Sequence, residues 1–280
     1  MVRTQQQRRI DSIIVNGLLI MICLISIFPV AYALSTSFKT QREVISKPPY
    51  LIPQNWSTDG YDQVLKSSLI RPHLLNTFIN ATGSSIIIVV LGVLAAYAFS
   101  RYKFPGNKLL QLVILGMIMI PTLTNLIALY RLGSQFDLLN TNIYMILIYV
   151  ANGLPFGIWI IKAAIDAIPI EIEESARIDG CGPLQVIRYI ILPLALPGLV
   201  TAFLMEFVFF WNEFLIAVVM LDNNNAKTAT VGLLNFQNSY QTAYHVWMAG
   251  SVFIIAPVLI TFFVLRRQFF RAMLQGAVKG

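Results

Sequence analysis

Two groups of acidic residues stand out in a chain that is otherwise strongly apolar. One is a run of carboxylates, Asp166, Glu171, Glu173, Glu174 and Asp179, around the stretch EESARIDGCGPLQVIRYIILPL that spans Glu173–Leu194. The other is a pair, Glu206 and Glu213, set inside an apolar segment. Carboxylates in such places accept hydrogen bonds from hydroxyls, pair with cations, or dock a polar partner. No His or Cys cluster accompanies them, so no metal site is expected. The phosphate-binding pattern G-x-x-x-x-G-K-[ST] does not occur among the 280 residues, so the chain cannot hydrolyse ATP itself.

The first group reads as a hairpin. Pro169 suits a first helical turn, and Glu171, Glu173 and Glu174 follow where the helix dipole favours acids. Glu173 and Arg177 have the favourable i,i+4 order for a salt bridge. Ile165, Ile168, Ile172 and Ala176 share one face. Gly180 and Gly182 suit a left-handed stop, and Pro183 can open a second helix. The expectation is helix, tight turn, helix over residues 162–197, lying on the inner membrane face. Its five acids outnumber the three bases Lys162, Arg177 and Arg188. A net acidic loop is ill suited to resting on anionic headgroups and better suited to docking a soluble partner.

The second group shares one helix face if its segment is a continuous helix, because Glu206 and Glu213 are i,i+7 and Phe203 and Phe210 extend the stripe. At 1.5 Å per residue the two carboxylates stand about 12 and 22 Å above the cytoplasmic start of the segment. Such a face, with Asn212 and Trp211 beside it, can accept hydroxyl hydrogen bonds and stack on the apolar faces of a sugar. The structural alternative is that either glutamate bonds to a neighbouring helix, or that Glu213 merely reaches the outer interface. Asn152, next to Gly153 and Pro155, marks a second polar break where freed carbonyls either line a path or are satisfied by packing. His245 reads as an interfacial residue.

The elements that must position these groups are membrane spans. Hydrophobic residues make up 57% of the chain and charged residues 12%, with mean hydropathy +0.70, far from the roughly 25% charge of soluble domains. Six apolar stretches are long enough to span: 13–35, 78–99, 109–129, 143–161, 198–221 and 244–265. Pro121, Pro155 and Pro257 interrupt three of them, which is tolerated when neighbouring helices satisfy the freed backbone groups. The first stretch lacks a small-residue cleavage site and reads as a retained span. The +7 net charge reflects topology signals rather than nucleic-acid binding. Thirteen bases, including Arg101, Lys103 and Lys108, flank one set of span ends, against seven on the other side. Both termini and the hairpin are therefore expected in the cytoplasm. The outer loop after the first span is either ordered by packing or a plain linker. Cys23 and Cys181 imply no disulfide.

The residues Glu174, Ser175 and Ala176, then Gly180, then Ile190, Leu192 and Pro193 resemble the EAA signature of ABC importer permeases, with Ser175 the one departure from the usual alanine. AYAFSRYKFPGNK after the second span, FFWNEFLIAVVM in the fifth and the terminal RRQFFRAMLQGAVKG resemble the carbohydrate branch, specifically the maltose-permease G type. The resemblance implies an all-α, six-span type I ABC importer permease fold in one transmembrane domain, with a cytoplasmic tail over 266–280. It implies a bacterial or archaeal cytoplasmic membrane and import of a sugar or oligosaccharide. Expected partners are a second homologous permease, an ABC ATPase dimer holding the ATP and Mg, and an extracytoplasmic solute-binding protein; this chain carries no cofactor. It implies that Glu173, Glu174, Ser175, Ala176, Arg177, Asp179, Gly180 and Pro193 form the ATPase-coupling hairpin. Glu206, Phe210, Asn212, Glu213 and Asn152 are the substrate-path candidates, and Gly276, Lys279 and Gly280 the expected tail contact with the ATPase, with basic amphipathic packing on headgroups as the other reading of the tail.

Two rivals remain at this stage. A stand-alone secondary transporter predicts paired charges among the spans, which contain two acids and no Lys or Arg. An importer of another solute class fits better with a cationic polyamine than with a phosphate ester, which asks for basic residues in the path.

Overall fold

In a computed structural model the described residues are 5–236 and 243–277, with side chains described for 11–236 and 243–272. They are all-helical, with no strand among the described residues. The chain forms two compact units, one of Met1–Ser67 with Leu233–Ile255, the other of Ser68–Gly232 with Ala256–Gly280. Among the described residues five helices are long and apolar enough to cross a bilayer, and a bent pair makes a sixth candidate.

The first unit contains α1 (Gln5–Ser37), α2 (Gln41–Val44) and α3 (Asp59–Lys66). The loop between α1 and α3 is ordered rather than a plain linker, because two charged residues are buried in it and spend their bonds on its backbone. Lys39, 2% exposed, donates to the Tyr50 carbonyl at 2.6 Å and lies 4.7 Å over the Tyr32 ring. Burial lowers the Lys39 pKa from its usual value while Glu43 opposes the shift. Glu43 accepts from the Asn55 backbone N–H at 2.7 Å, from Gln54 N at 3.3 Å and from Asn55 Nδ2 at 2.8 Å. His245, at the start of α13 (Tyr244–Ala277), is 4% exposed, with its ring nitrogens 2.9 Å from Gln41 Oε1 and 3.2 Å from Asp59 Oδ2.

The second unit is built on α4 (Ile70–Arg101), α7 (Asn142–Asp166) and α10 (Leu192–Trp211). Without a hydrophobic drive between helices in lipid, close packing needs small residues at the contacts. Gly153 and Gly157 of α7 provide it, since a Cβ on Gly153 would come within 2.7 Å of Ile88 Cδ1 and one on Gly157 would collide with Ile88. α4 starts eight residues before the apolar stretch at Phe78, so it extends past the hydrocarbon-length run.

Two expected spans differ. The stretch 109–129 is split into α5 (Asn107–Ile118) and α6 (Thr122–Gln135), bent by 89°. Pro121 stands at the break in an extended conformation and its carbonyl accepts from Thr124 Oγ1 at 2.7 Å, which fixes the new helix start. Pro155 and Pro257 do not interrupt their spans: α7 runs through the one, and α13 (Tyr244–Ala277) through the other. The stretch 198–221 is not one helix either. α10 stops at Trp211, and α11 (Leu215–Met220) starts after a short break. Glu206 and Glu213 therefore do not share a continuous helix face.

Candidate functional site

The hairpin begins with α8 (Ile170–Ile178), directly after Pro169. It closes by a Schellman arrangement in which Cys181 N donates to Ala176 O and Gly180 N to Arg177 O, both at 3.0 Å. This geometry requires a left-handed residue, and Gly180 has φ +89°. Gly182 does not share that role: with φ −73° and ψ 165° it is extended and caps α9 (Pro183–Val186), while Gln185 Oε1 accepts its N–H at 2.8 Å. A π turn at Ile187–Ile191 then joins α9 to α10.

The underside of the hairpin packs on α4 and α7. Ile168, Ala176, Val186 and Ile191 join Val93, Ala96, Tyr97, Ile161 and Ile165 in one buried cluster. Ile172, placed on the same face by spacing, is instead 41% exposed and does not join this cluster. Glu174, Ser175, Arg177, Asp179, Gly180 and Pro193 are exposed, Ala176 is buried, and Ser175 spends its hydroxyl on the Glu171 carbonyl at 2.9 Å. Ile178 and Leu184, 87% and 73% exposed, leave an apolar tip beside the turn.

Glu173 departs from the sequence expectation. Instead of pairing with Arg177 on the helix surface it is 1% exposed and accepts from Arg101 Nε at 2.5 Å and from Tyr97 Oη at 3.2 Å. Arg177 Nη2 donates to the Tyr97 hydroxyl at 3.2 Å. A charge-assisted bond to a planar guanidinium in a dry site outweighs a surface i,i+4 pair worth a few tenths of a kcal/mol. Arg101 and Tyr97 are thus hairpin residues that sequence reasoning missed. Arg101 looked like one more topology charge, and nothing local tied it to α8.

Four of the five substrate-path candidates, Asn152, Glu206, Phe210 and Glu213, line a cavity of about 810 Å³ in the second unit. Its wall includes Thr122 at the α5–α6 break, Asn152 and Phe156 of α7, Glu206 and Phe209 of α10, and Phe269 of α13. Glu206 is 2% exposed and packs over the backbone of Gly153 and Gly157; its Oε1 has no hydrogen-bond partner among the described residues. Glu213 also lines the wall but its oxygens are engaged. They accept from Ile216 N at 2.7 Å, Ala217 N at 3.0 Å and Tyr149 Oη at 2.9 Å. It caps the short α11. Phe210 is 1% exposed, with its ring stacked on Tyr149 at 4.5 Å. The rings with free area are Phe209, 62% exposed, and Phe156, 40% exposed. Asn152 Nδ2 turns back to Ile148 O and Asn212 Nδ2 to Val208 O, at 2.8 and 2.7 Å. Asn212 ends α10 and is not on the cavity wall.

In the tail, α13 carries the helix on to Ala277, so Gly276 falls in its last turn. Lys279 and Gly280 lie outside the described residues.

Membrane-length helices packed through glycines, an amphipathic hairpin fastened to their ends and a cavity within the bundle define a polytopic helical transport subunit. The chain belongs to the family of binding-protein-dependent transport system inner membrane components, which matches residues 88–275. It is the permease of such an ABC importer, a transport subunit with the ATPase on a separate subunit. The trehalose transport system permease protein SugB of Mycobacterium tuberculosis is 34% identical to it, over 91% of this chain and 93% of that one. The diacetylchitobiose uptake system permease protein NgcG of Streptomyces coelicolor is 30% identical, over 94% and 88%. Its fold is similar to a chain of a bacterial ABC transporter involved in the import of the acidic polysaccharide alginate, with TM-score 0.81 and 23% identity, covering 96% of this chain and 100% of that one.

Proposed function

We propose that this permease carries a sugar or oligosaccharide, and that its own cavity wall touches the solute. The observation that carries this reading is Glu206, a buried carboxyl with an unmet acceptor oxygen on a wall that also presents the rings of Phe209 and Phe156. A hydroxyl-rich solute satisfies both, donating to the oxygen and laying its C–H faces on the rings. The sugars named for the trehalose and diacetylchitobiose relatives favour the same class. Asn152 is the second polar wall residue. Phe210 and Glu213 act by holding the wall in shape.

The partners follow. A second homologous permease completes the path, an extracytoplasmic binding protein delivers the solute, and an ATPase dimer holding ATP and Mg receives the hairpin. The distribution of bases favours both termini, and the hairpin, in the cytoplasm. The exposed Glu174, Arg177 and Asp179 around the apolar tip of Ile178 and Leu184 suit a groove on the ATPase, and the tail residues Gly276, Lys279 and Gly280 are assigned a contact with the same partner. ATP works by favouring the closed ATPase dimer and the outward-open permease over the alternative state. Glu173 and Ala176 contribute from beneath, and Pro193 at the start of α10.

One observation keeps a second reading open: an unpartnered carboxyl also suits an ammonium, hence a polyamine. The deciding experiment is purification of the tagged chain with its partners, followed by binding assays on the recovered solute-binding protein and uptake by Glu206→Gln. If the carboxamide transports the native solute within about tenfold of the parent, hydroxyl recognition stands, since an amide oxygen still accepts. Collapse of uptake together with a binding protein that selects amines would replace the sugar reading.

A further inference from the structure

The step from α7 to α8 is a three-residue elbow, Ala167, Ile168 and Pro169. Pro169 has no N–H to give, and the described backbone bonds at the elbow are Ile168 N to Ile165 O at 3.0 Å and Ile172 N to Pro169 O at 3.4 Å. Such a joint hinges unless something spans it. Among the described residues, one side chain hydrogen-bonds on both sides of it. Arg101, at the end of α4, donates through Nη2 to Ile165 O before the joint and to Ile168 O within it, at 3.0 and 2.9 Å, and through Nε to Glu173 beyond it at 2.5 Å. Its Nη1 donates to Ser100 Oγ at 2.8 Å, and Ser100 donates to Asp166 at 2.5 Å. The Arg101 and Glu173 side chains are 8% and 1% exposed.

We infer that Arg101 is a positioning residue that locks the elbow, making the coupling hairpin one rigid lever with α4 and α7. This rests on the reading of the chain as an ATP-driven importer with a docking hairpin. α8 has nine residues, about 13 Å at 1.5 Å per residue, so a hinge of only about 10° at the elbow moves its far end by about 2 Å. Helix shifts that carry switching between subunits are themselves about 1–2 Å. An unlocked elbow would absorb the whole stroke. A guanidinium is the side chain for this task, because its planar fork reaches two carbonyls and a carboxylate at once, which a lysine ammonium cannot do in the same geometry.

The test uses the complete importer, reconstituted with its own ATPase, second permease and binding protein, in Arg101→Lys and the milder Tyr97→Phe. Uptake per ATP hydrolysed should fall about tenfold in Arg101→Lys and less in Tyr97→Phe, the scale of one coupling interaction, while the ATPase still copurifies. Spin labels at Ile178→Cys and Leu94→Cys, in a background lacking Cys23 and Cys181, should give a narrow distance distribution in the parent and a broad one in Arg101→Lys. A parental uptake-to-ATP ratio in Arg101→Lys, or a narrow distribution in both proteins, overturns the inference. Failure of the underlying reading looks different: the parent complex itself would show no ATP-dependent uptake.

Discussion

Replacing Gly180 separates backbone geometry from surface contact. A Cβ there meets nothing within 4 Å, so the residue is free of steric neighbours, yet φ is +89°. A β-branched Gly180→Val must therefore leave the left-handed region or sit in it at a cost of about 1–2 kcal/mol. Leaving it breaks the Cys181–Ala176 and Gly180–Arg177 bonds of the Schellman turn, worth about 1 kcal/mol each. The cheaper of the two routes sets the loss at about 1–2 kcal/mol, and at 1.4 kcal/mol per decade the equilibrium constant for the closed hairpin falls by roughly 5- to 30-fold. Gly180→Asn, which tolerates the left-handed region, should keep most of it. The assay is ATP-driven uptake in proteoliposomes, with membrane insertion checked by yield and ATPase docking by copurification. Insertion should survive in both variants, and uptake should fall several-fold in Val while staying near parental in Asn. Parental uptake by Gly180→Val would refute the hairpin model. Equal damage from Asn and Val would show that the glycine is read as a contact surface instead.

Glu213→Ala removes the acceptor of two α11 backbone N–H groups and of the Tyr149 hydroxyl, so it should cost about 1–3 kcal/mol of stability, with a lower melting temperature in detergent and unchanged solute preference; altered selectivity would contradict its capping role. Glu206→Leu should weaken uptake of the native solute while Glu206→Gln largely retains it, as initial-rate measurements at varied solute would report. Glu43→Ala strips the outer loop of three bonds to Gln54 and Asn55, so limited proteolysis should cut the 45–56 segment faster than in the parent, while the spans stay protected.

Much of what depends on a few neighbouring residues was legible in the sequence. The expected runs 13–35, 78–99, 143–161 and 244–265 fall on continuous helix, the turn at Gly180 has the left-handed backbone its glycine suggested, and Pro183 opens α9. Hydropathy, dipole and turn chemistry act over one or two helical turns, which is the range a sequence pattern reports. The tertiary structure decided which of several locally allowed outcomes won. Three prolines carried the same local signal, yet only Pro121 divides its span, while α7 and α13 run on past Pro155 and Pro257. Glu213 lies a helical repeat from Glu206, but α10 ends at Trp211 and the carboxylate caps α11. Glu173 had a partner four residues away and took one 72 residues away. The reason is burial: a bond inside a dry contact between three helices is stronger than the same bond in water, and which residues meet in that contact is written in no single segment of the chain.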